Sequence, residues 1–302
     1  MAKEASSTYV PSILIVGGGI AGLAAGLCLT HLIPGITPLI VERHEHLTSL
    51  GGPILIPPNG TRVFKSLGLL PSLMAIADDC TVRVLMRGDS GEVLQENMVD
   101  SIDGSPYLLA VRGELLKWLH DLFCAKGGRI RFGCQVTEMK EGEDGARLRT
   151  ADGDVLAADL VVVADGVRSA LRPMVIPDFK AHVSSSSTSS VTGCEIPSSH
   201  MLRDPLLAKL YRRPGPTVWM GPGRYIVTAP IRRHGLFSVA FSDHGKEVAA
   251  HEDWAVAGDL ERVRERFSAF VGGGAAELME AAVAARDETK RRCVNWTAAC
   301  GR

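Results

Sequence analysis

The feature that most constrains this chain is Gly17-Gly18-Gly19-Ile20-Ala21-Gly22, a G-x-G-x-x-G run set between two apolar segments of different character. Before it, Ser12 to Val16 reads SILIV. A short, β-branched, almost wholly apolar run suits a strand buried in a parallel sheet. After it, Ile20 to about His31 is rich in Ala and Leu and predicts a helix, ended by Pro34-Gly35. Thr37 to Val41 predicts a second buried strand that stops at Glu42, about 20 residues past Gly22. Strand, glycine turn, helix, strand and terminal acid make a β-α-β unit of the dinucleotide-binding kind. Gly17 is expected to make the tight turn, Gly19 to let backbone approach a diphosphate, and Gly22 to let helix and strand pack closely. The helix start offers unpaired N–H groups and a positive dipole end to phosphate oxygens. Glu42 is expected to accept hydrogen bonds from adenosine ribose hydroxyls, and its charge disfavours a 2′-phosphate. The alternative is a glycine-rich turn in an ordinary α/β core. The fingerprint alone does not separate FAD from NAD.

Ile13 to Leu29 is nearly all apolar and lies early in the chain, as a secretory signal does. Its five glycines suit a phosphate loop better than a signal helix. No other stretch approaches the roughly 18 to 20 apolar residues of a membrane span, so none is expected. Charges balance, with 33 basic and 34 acidic residues and a net charge of -1, which gives no reason to expect a nucleic-acid partner. Seven cysteines are scattered without a C-x-x-C pair, and nine histidines form no ligand pattern. That usage predicts free thiols, a cytoplasmic location and no metal site.

Further along, helices are expected over Asn59 to Leu67 and Arg112 to Ala125, and strands over Thr81 to Arg87 and Glu92 to Asn97. Asp152-Gly153 marks a hairpin between Arg147 to Thr150 and Val155-Leu156. Asp159 to Ala164 (DLVVVA) predicts another buried strand, followed at once by Asp165-Gly166. Ser184 to Ser190 is of low complexity and is expected to be a surface loop. Strands around Tyr225 to Pro230 and Leu236 to Phe241, then helices over Asp259 to Val271 and Ala275 to Arg286, complete the chain. A boundary near Pro173 to Pro177 divides it into a nucleotide-binding region, 1–175, and a sheet-rich region, 176–302.

The segment DLVVVADGVRSALR, Asp159 to Arg172, resembles the Asp-Gly motif of flavin-dependent aromatic hydroxylases of the salicylate and para-hydroxybenzoate hydroxylase group. Asp159, Ala164, Asp165, Gly166, Ser169 and Arg172 match its D-L-V-V-G-A-D-G-x-x-S-x-x-R pattern, while Val163 replaces the usual Gly. Leu50 to Gly60 resembles the group's G-x-x-I-x-L-x-P-N-G stretch. Val111 to Leu116 resembles its R-x-x-L helix start, and Trp219 to Pro230 the strand that ends in Tyr-Pro. Two positions depart: Gly193 stands where an Arg is common, and Ala229 replaces the Tyr before Pro230.

The resemblance implies a mixed α/β fold, a Rossmann-like FAD-binding β-α-β unit with an inserted or appended β-sheet substrate domain. It implies a monooxygenase with FAD as cofactor and NAD(P)H as co-substrate, which uses O2 to hydroxylate an aromatic or a polyketide- or terpenoid-like small molecule. The cofactor-binding set it implies is Gly17, Gly19, Gly22, Glu42, Arg43, Gly51, Gly52, Arg112, Asp165 and Gly166. Arg112 is expected to face the cofactor, since its guanidinium can fork onto phosphate or ribityl oxygens. No side chain is singled out as catalytic, because the flavin carries the chemistry. The group's second flavin motif, Gly-Asp-Ala-Ala-His, is not reached before Gly301-Arg302, so weak flavin retention and poor hydroxylation are expected of the chain as it stands. The alternatives are another FAD-dependent oxidoreductase, a non-enzymatic relative and an NAD-only dehydrogenase.

Overall fold

The structure is a computed structural model that describes residues 9–48, 52–99, 101–178, 188–244, 256–257, 259–289 and 294–299. Strand β1 (Ile13–Val16), helix α1 (Ile20–Leu32) and β2 (Leu39–Val41) come first. Next are β3 (Pro53–Ile56), α2 (Pro58–Ser66), α3 (Leu70–Met74), β4 (Ala77–Asp79), β5 (Val82–Arg87), β6 (Val93–Met98) and β7 (Leu108–Val111). Helix α4 (Arg112–Ala125) leads to β8 (Arg129–Arg131), β9 (Val136–Gly142), β10 (Gly145–Thr150), β11 (Val155–Ala158), β12 (Leu160–Val163) and α5 (Arg172–Val175). The remainder is β13 (Thr188–Pro197), α6 (Ser198–Met201), α7 (Pro205–Arg212), β14 (Thr217–Gly221), β15 (Arg224–Ile231), β16 (Leu236–Asp243), β17 (Val256–Ala257), α8 (Leu260–Arg266), α9 (Ala275–Thr289) and β18 (Val294–Ala299).

These elements gather into two compact units, Met1–Ser49 with Gly113–Lys180, and Leu50–Arg112 with Ala181–Arg302. Residues 50–112 therefore group with the second unit, where a linear division at 175/176 would leave them in the first. The reason is strand pairing: β5 hydrogen-bonds in parallel to β14, which joins the 82–98 hairpin to the sheet built after residue 188.

In the first unit a four-stranded parallel sheet has the order β12-β1-β2-β8. Leu14 and Val16 point to one face, where they pack with Val41, Val136, Leu148 and Leu171 under the antiparallel sheet β11-β10-β9. Ile15, fully buried, points to the other face and meets α1 at Gly22. Phe123 of α4 lies over Gly26 of α1. This alternation explains why Ile13 to Val16 is apolar throughout: both faces of β1 are covered.

The chain enters β1 through a staple. Asp159 accepts from Ser12 N and Ser12 Oγ, both at 2.6 Å, and from Tyr9 Oη. The Ser12 hydroxyl first, then Tyr9, hold the Asp159 carboxyl down at about 2, from an ordinary 3.8. A depressed carboxylate pKa contributes stability that is full above the unfolded value and is lost as pH falls through the folded one. The staple is thus expected to hold above about pH 4 and to open toward pH 2. In thermal unfolding from pH 5 to pH 2, Asp159→Asn should show a shallower decline than the parent; parallel curves would contradict this.

In the second unit an eight-stranded sheet has the order β17-β18-β13-β16-β15-β14-β5-β6, and a three-stranded sheet the order β3-β7-β4. The fully buried Trp219, Phe237, Phe241 and Leu278 belong to its core. Trp219 to Pro230 forms two strands, β14 and β15, turned at Gly221-Pro222-Gly223, where the sequence suggests one. Of the expected serine loop, 184–187 lie outside the described residues, while Thr188–Ser190 begin β13, paired to β18 across a backbone ladder that side-chain composition does not reveal. The helix expected over Asp259 to Val271 ends at Arg266, after which Phe267 and Phe270 are buried.

Asp243, at the end of β16, is buried and accepts two bonds from Arg266 of α8, at 2.6 and 3.0 Å. Arg224 Nε of β15 lies 3.3 Å from the same carboxylate. Both guanidiniums keep part of their surface in water. Asp243→Asn keeps the shape but removes the charge they share, for an expected loss of about 1–2 kcal/mol. The thermal midpoint should fall by roughly 2–3 °C; an unchanged midpoint would show that the cluster contributes nothing net.

Candidate functional site

The turn from β1 to α1 is drawn against the ends of β2 and β12. Gly17 N donates to Val41 O at 2.8 Å, and Ala164 N donates to Val16 O at 2.8 Å. Gly17 has φ +110°, and a Cβ there would lie 2.3 Å from Ala164 O. A Cβ on Gly22 would lie 1.9 Å from Gly17 O. Gly17 and Gly22 are therefore required by the protein's own packing. Gly19 differs, since a Cβ there meets no protein atom within 4 Å. Gly19 begins α1 in extended conformation, with no side-chain cap and no acidic residue in the first turn. The helix end thus keeps its N–H groups for an external acceptor.

Glu42 closes one side of this turn. Its Oε2 accepts from Gly18 N at 2.7 Å and its Oε1 from His44 N at 3.0 Å. Glu42 N donates to Arg131 O, and Cys134 N donates to Glu42 O, tying the end of β2 to the segment after β8. Arg43 follows, with Nε 3.4 Å from His44 Nε2.

The Asp-Gly block is held by its own side chains. Asp165 Oδ2 accepts from Ala170 N at 3.0 Å and Leu171 N at 3.3 Å. Ser169 Oγ accepts from Arg172 N at 2.9 Å. Arg172 donates to Gly166 O at 2.9 Å and Val167 O at 3.3 Å. The D-G-x-x-S-x-x-R spacing is thus a loop that closes on itself, anchored by the buried Leu171. Val163 pairs with Val16 and packs into the core below, which accommodates the departure from Gly.

Between these parts lies a cavity of about 240 Å³. Gly17, Gly18, Gly19, Glu42, Arg43, Asp165 and Gly166 line it, together with His44, Gln135 and Arg168. Gly22 sits beneath, as a packing residue. Gly51 lies outside the described residues. Gly52, just before β3, and Arg112, heading α4, are half-buried members of the second unit. The sequence reading missed His44, Gln135 and Arg168. Arg168 lies inside the Asp-Gly motif and was legible there. Gln135 has no local signal, because parallel pairing of β2 with β8 brings it in.

A family model described as a FAD binding domain matches residues 11–265. The chain belongs to that family. It is 31% identical over 287 residues to the 3-amino-4-hydroxybenzoate 2-monooxygenase PtnB3 of Streptomyces platensis, an overlap of 91% of this chain and 67% of that protein. It is 28% identical over 264 residues to the FAD-dependent monooxygenase atnJ of Arthrinium sp, across 83% of this chain and 58% of that protein. Among solved structures, a salicylate hydroxylase substrate complex superposes with TM-score 0.75 at 16% identity, covering 95% of this chain and 68% of that one. Klebsiella pneumoniae HpxO with FAD and uric acid gives TM-score 0.73 at 22% identity, with 96% and 68% covered. These likenesses establish the mixed α/β hydroxylase fold. The FAD-binding chain spans about two thirds or less of the length of these two sequence relatives. Among the described residues, no helix is long and apolar enough to cross a membrane.

Proposed function

We propose that this chain binds FAD in the cavity of the first unit and serves an NAD(P)H- and O2-dependent monooxygenase that hydroxylates a small aromatic, polyketide-like or terpenoid-like molecule. The observation that carries the reading is the cavity itself. One space of about 240 Å³ gathers the glycine turn, Glu42-Arg43 and Asp165-Gly166, which are far apart in sequence. The donor set suits FAD. The uncapped start of α1 offers N–H groups to a diphosphate, and the missing Cβ of Gly19 leaves room beside it. Glu42 spends one lone pair per oxygen on backbone N–H groups, and a carboxylate has about four acceptor sites in all. It therefore keeps acceptor capacity for ribose hydroxyls, with Arg43 alongside. Asp165 donates nothing and accepts two N–H groups at Oδ2, which leaves Oδ1 for a hydroxyl or a bound water on the ribityl side.

Bound FAD supplies the redox chemistry, taking reducing equivalents from NAD(P)H and passing them to O2. The protein's part is to position, to exclude water and to hold charge. Gly51, Gly52 and Arg112 are assigned to the flavin end. The relatives named for 3-amino-4-hydroxybenzoate and salicylate make an electron-rich ring the substrate class to test first. A cytoplasmic location belongs to the same reading, supported by five unbridged cysteines among the described residues.

The test is direct. Purified protein should be yellow, absorb near ~450 nm in the known oxidised-flavin band, and release FAD on denaturation. NADPH oxidation should then rise when an aromatic acid is added, with hydroxylated product recovered. Colourless protein that takes up no FAD would overturn the reading. Bound FAD without aromatic-stimulated oxidation would leave a flavoenzyme of another reaction.

A further inference from the structure

Helix α4 carries a cluster of chemically capable groups that the flavin reading does not use. His120 and Cys124 lie one helical turn apart, with Cys124 Sγ 3.7 Å from His120 Nε2. Across the ring, Asp121 Oδ1 is 3.0 Å from His120 Nδ1. Lys117 pairs with the other oxygen of Asp121. The Phe132 ring stands 6.4 Å away, tilted by 39°. The cluster is reachable: Cys124 is exposed, the His120 side chain is 24% exposed, and His120 lines an open groove of about 400 Å³ with Leu47, Lys117 and Asp121.

We propose that His120 and Cys124 form a two-donor site for Zn²⁺ on α4, with Asp121 as the residue that orients the imidazole. The bite fits. A tetrahedral ion about 2.3 Å from sulfur and about 2.0–2.1 Å from nitrogen spans its two donors by about 3.6 Å. The ring is prepared for it. With the Nδ1 proton donated to Asp121, the Nε2 lone pair faces the sulfur, the carboxylate–histidine–metal arrangement that fixes tautomer and raises donor strength. Lys117 does not oppose the ion strongly, because its charge is matched by Asp121.

Binding forms one Zn–N and one Zn–S bond and releases the Cys124 thiol proton to solvent, with no electron transferred. Two waters complete the shell. The ion competes with a proton for the sulfur, so binding weakens as pH falls. Among the described residues no group of three His, Cys, Asp or Glu is placed to hold a metal. The site is accordingly an exchangeable one, and loading it would clamp the last turns of α4.

The test uses the full chain and a spectroscopic stand-in, Co²⁺, displaced afterwards by Zn²⁺. One Co²⁺ per chain should bind with a single thiolate-to-metal charge-transfer band that Zn²⁺ removes. Cys124→Ser should abolish the band. His120→Ala should weaken binding at least about tenfold, and Asp121→Asn about tenfold, the size expected for loss of an outer carboxylate. Cys28→Ser, a change to another unbridged thiol, should leave the titration as it is. Because Cys124 and Asp121 are exposed, their metal-free variants should keep the parent's thermal midpoint, which separates loss of a ligand from loss of fold. Absence of the band, or its persistence in Cys124→Ser, or parental affinity in His120→Ala, would each overturn the proposal. The readout needs no flavin, so it stands or fails apart from the functional reading.

Discussion

Gly22→Ala should lose FAD by at least about 100-fold, roughly 2.7 kcal/mol, and should also lower the stability of the chain. Helix propensity alone argues the other way, since Ala is favoured over Gly by about 1 kcal/mol inside a helix. Packing decides against it. The new Cβ would stand 1.9 Å from Gly17 O and 3.3 Å from Ile15 Cγ2. The carbonyl has little room to give, because Gly17 N is bonded to Val41 O in the next strand. Helix α1 must therefore move off β1, at an overpacking cost of about 1–3 kcal/mol or more, and its N–H groups leave the cavity. Gly19→Ala is the matched control. Its Cβ meets no protein atom, so the ligand-free midpoint should be kept, yet FAD affinity should fall if a diphosphate lies against that position. Isothermal titration and thermal unfolding of both variants give four numbers. Parental FAD affinity in Gly19→Ala would refute the placement of the diphosphate over the start of α1.

Glu42→Ala should weaken FAD by about 1.5–3 kcal/mol, some 10- to 150-fold, for one or two lost charge-assisted bonds to the ribose. The structure adds a second effect. Glu42 also accepts from Gly18 N and His44 N, so the alanine variant leaves two backbone donors of the turn unpaired. Part of the loss will thus appear as a looser turn even without ligand. Glu42→Gln separates the contributions, since it keeps one acceptor oxygen while removing the charge. Affinity should rank parent, Gln, Ala. Equal affinity in parent and alanine variant would remove Glu42 from the site.

What could be read from the sequence alone was whatever short-range chemistry dictates. The run SILIV, the three glycines and the acid at the end of the second strand specify a local unit whose parts lie within about 30 residues. Its outline was therefore legible, as was α4 with its apolar stripe, at the residues where it is observed. The Asp165 block was legible as a motif, but its physical content was not: Asp165, Ser169 and Arg172 bind their own loop, a pattern that emerges only from coordinates.

Tertiary structure decided the rest, because pairing partners far apart in sequence leave no local mark. Strand composition could not show that β5 would pair with β14, and so could not place residues 50–112 in the second unit. Nor could a low-complexity serine run announce that its last residues form a strand, since a backbone ladder asks little of side chains at Thr188–Ser190. Gln135 entered the cavity through the parallel register of β2 with β8. The three glycines illustrate the division most sharply. Sequence marked all of them as one motif, whereas the fold separated Gly17 and Gly22, which the protein needs for its own close contacts, from Gly19, whose open side is left for a ligand.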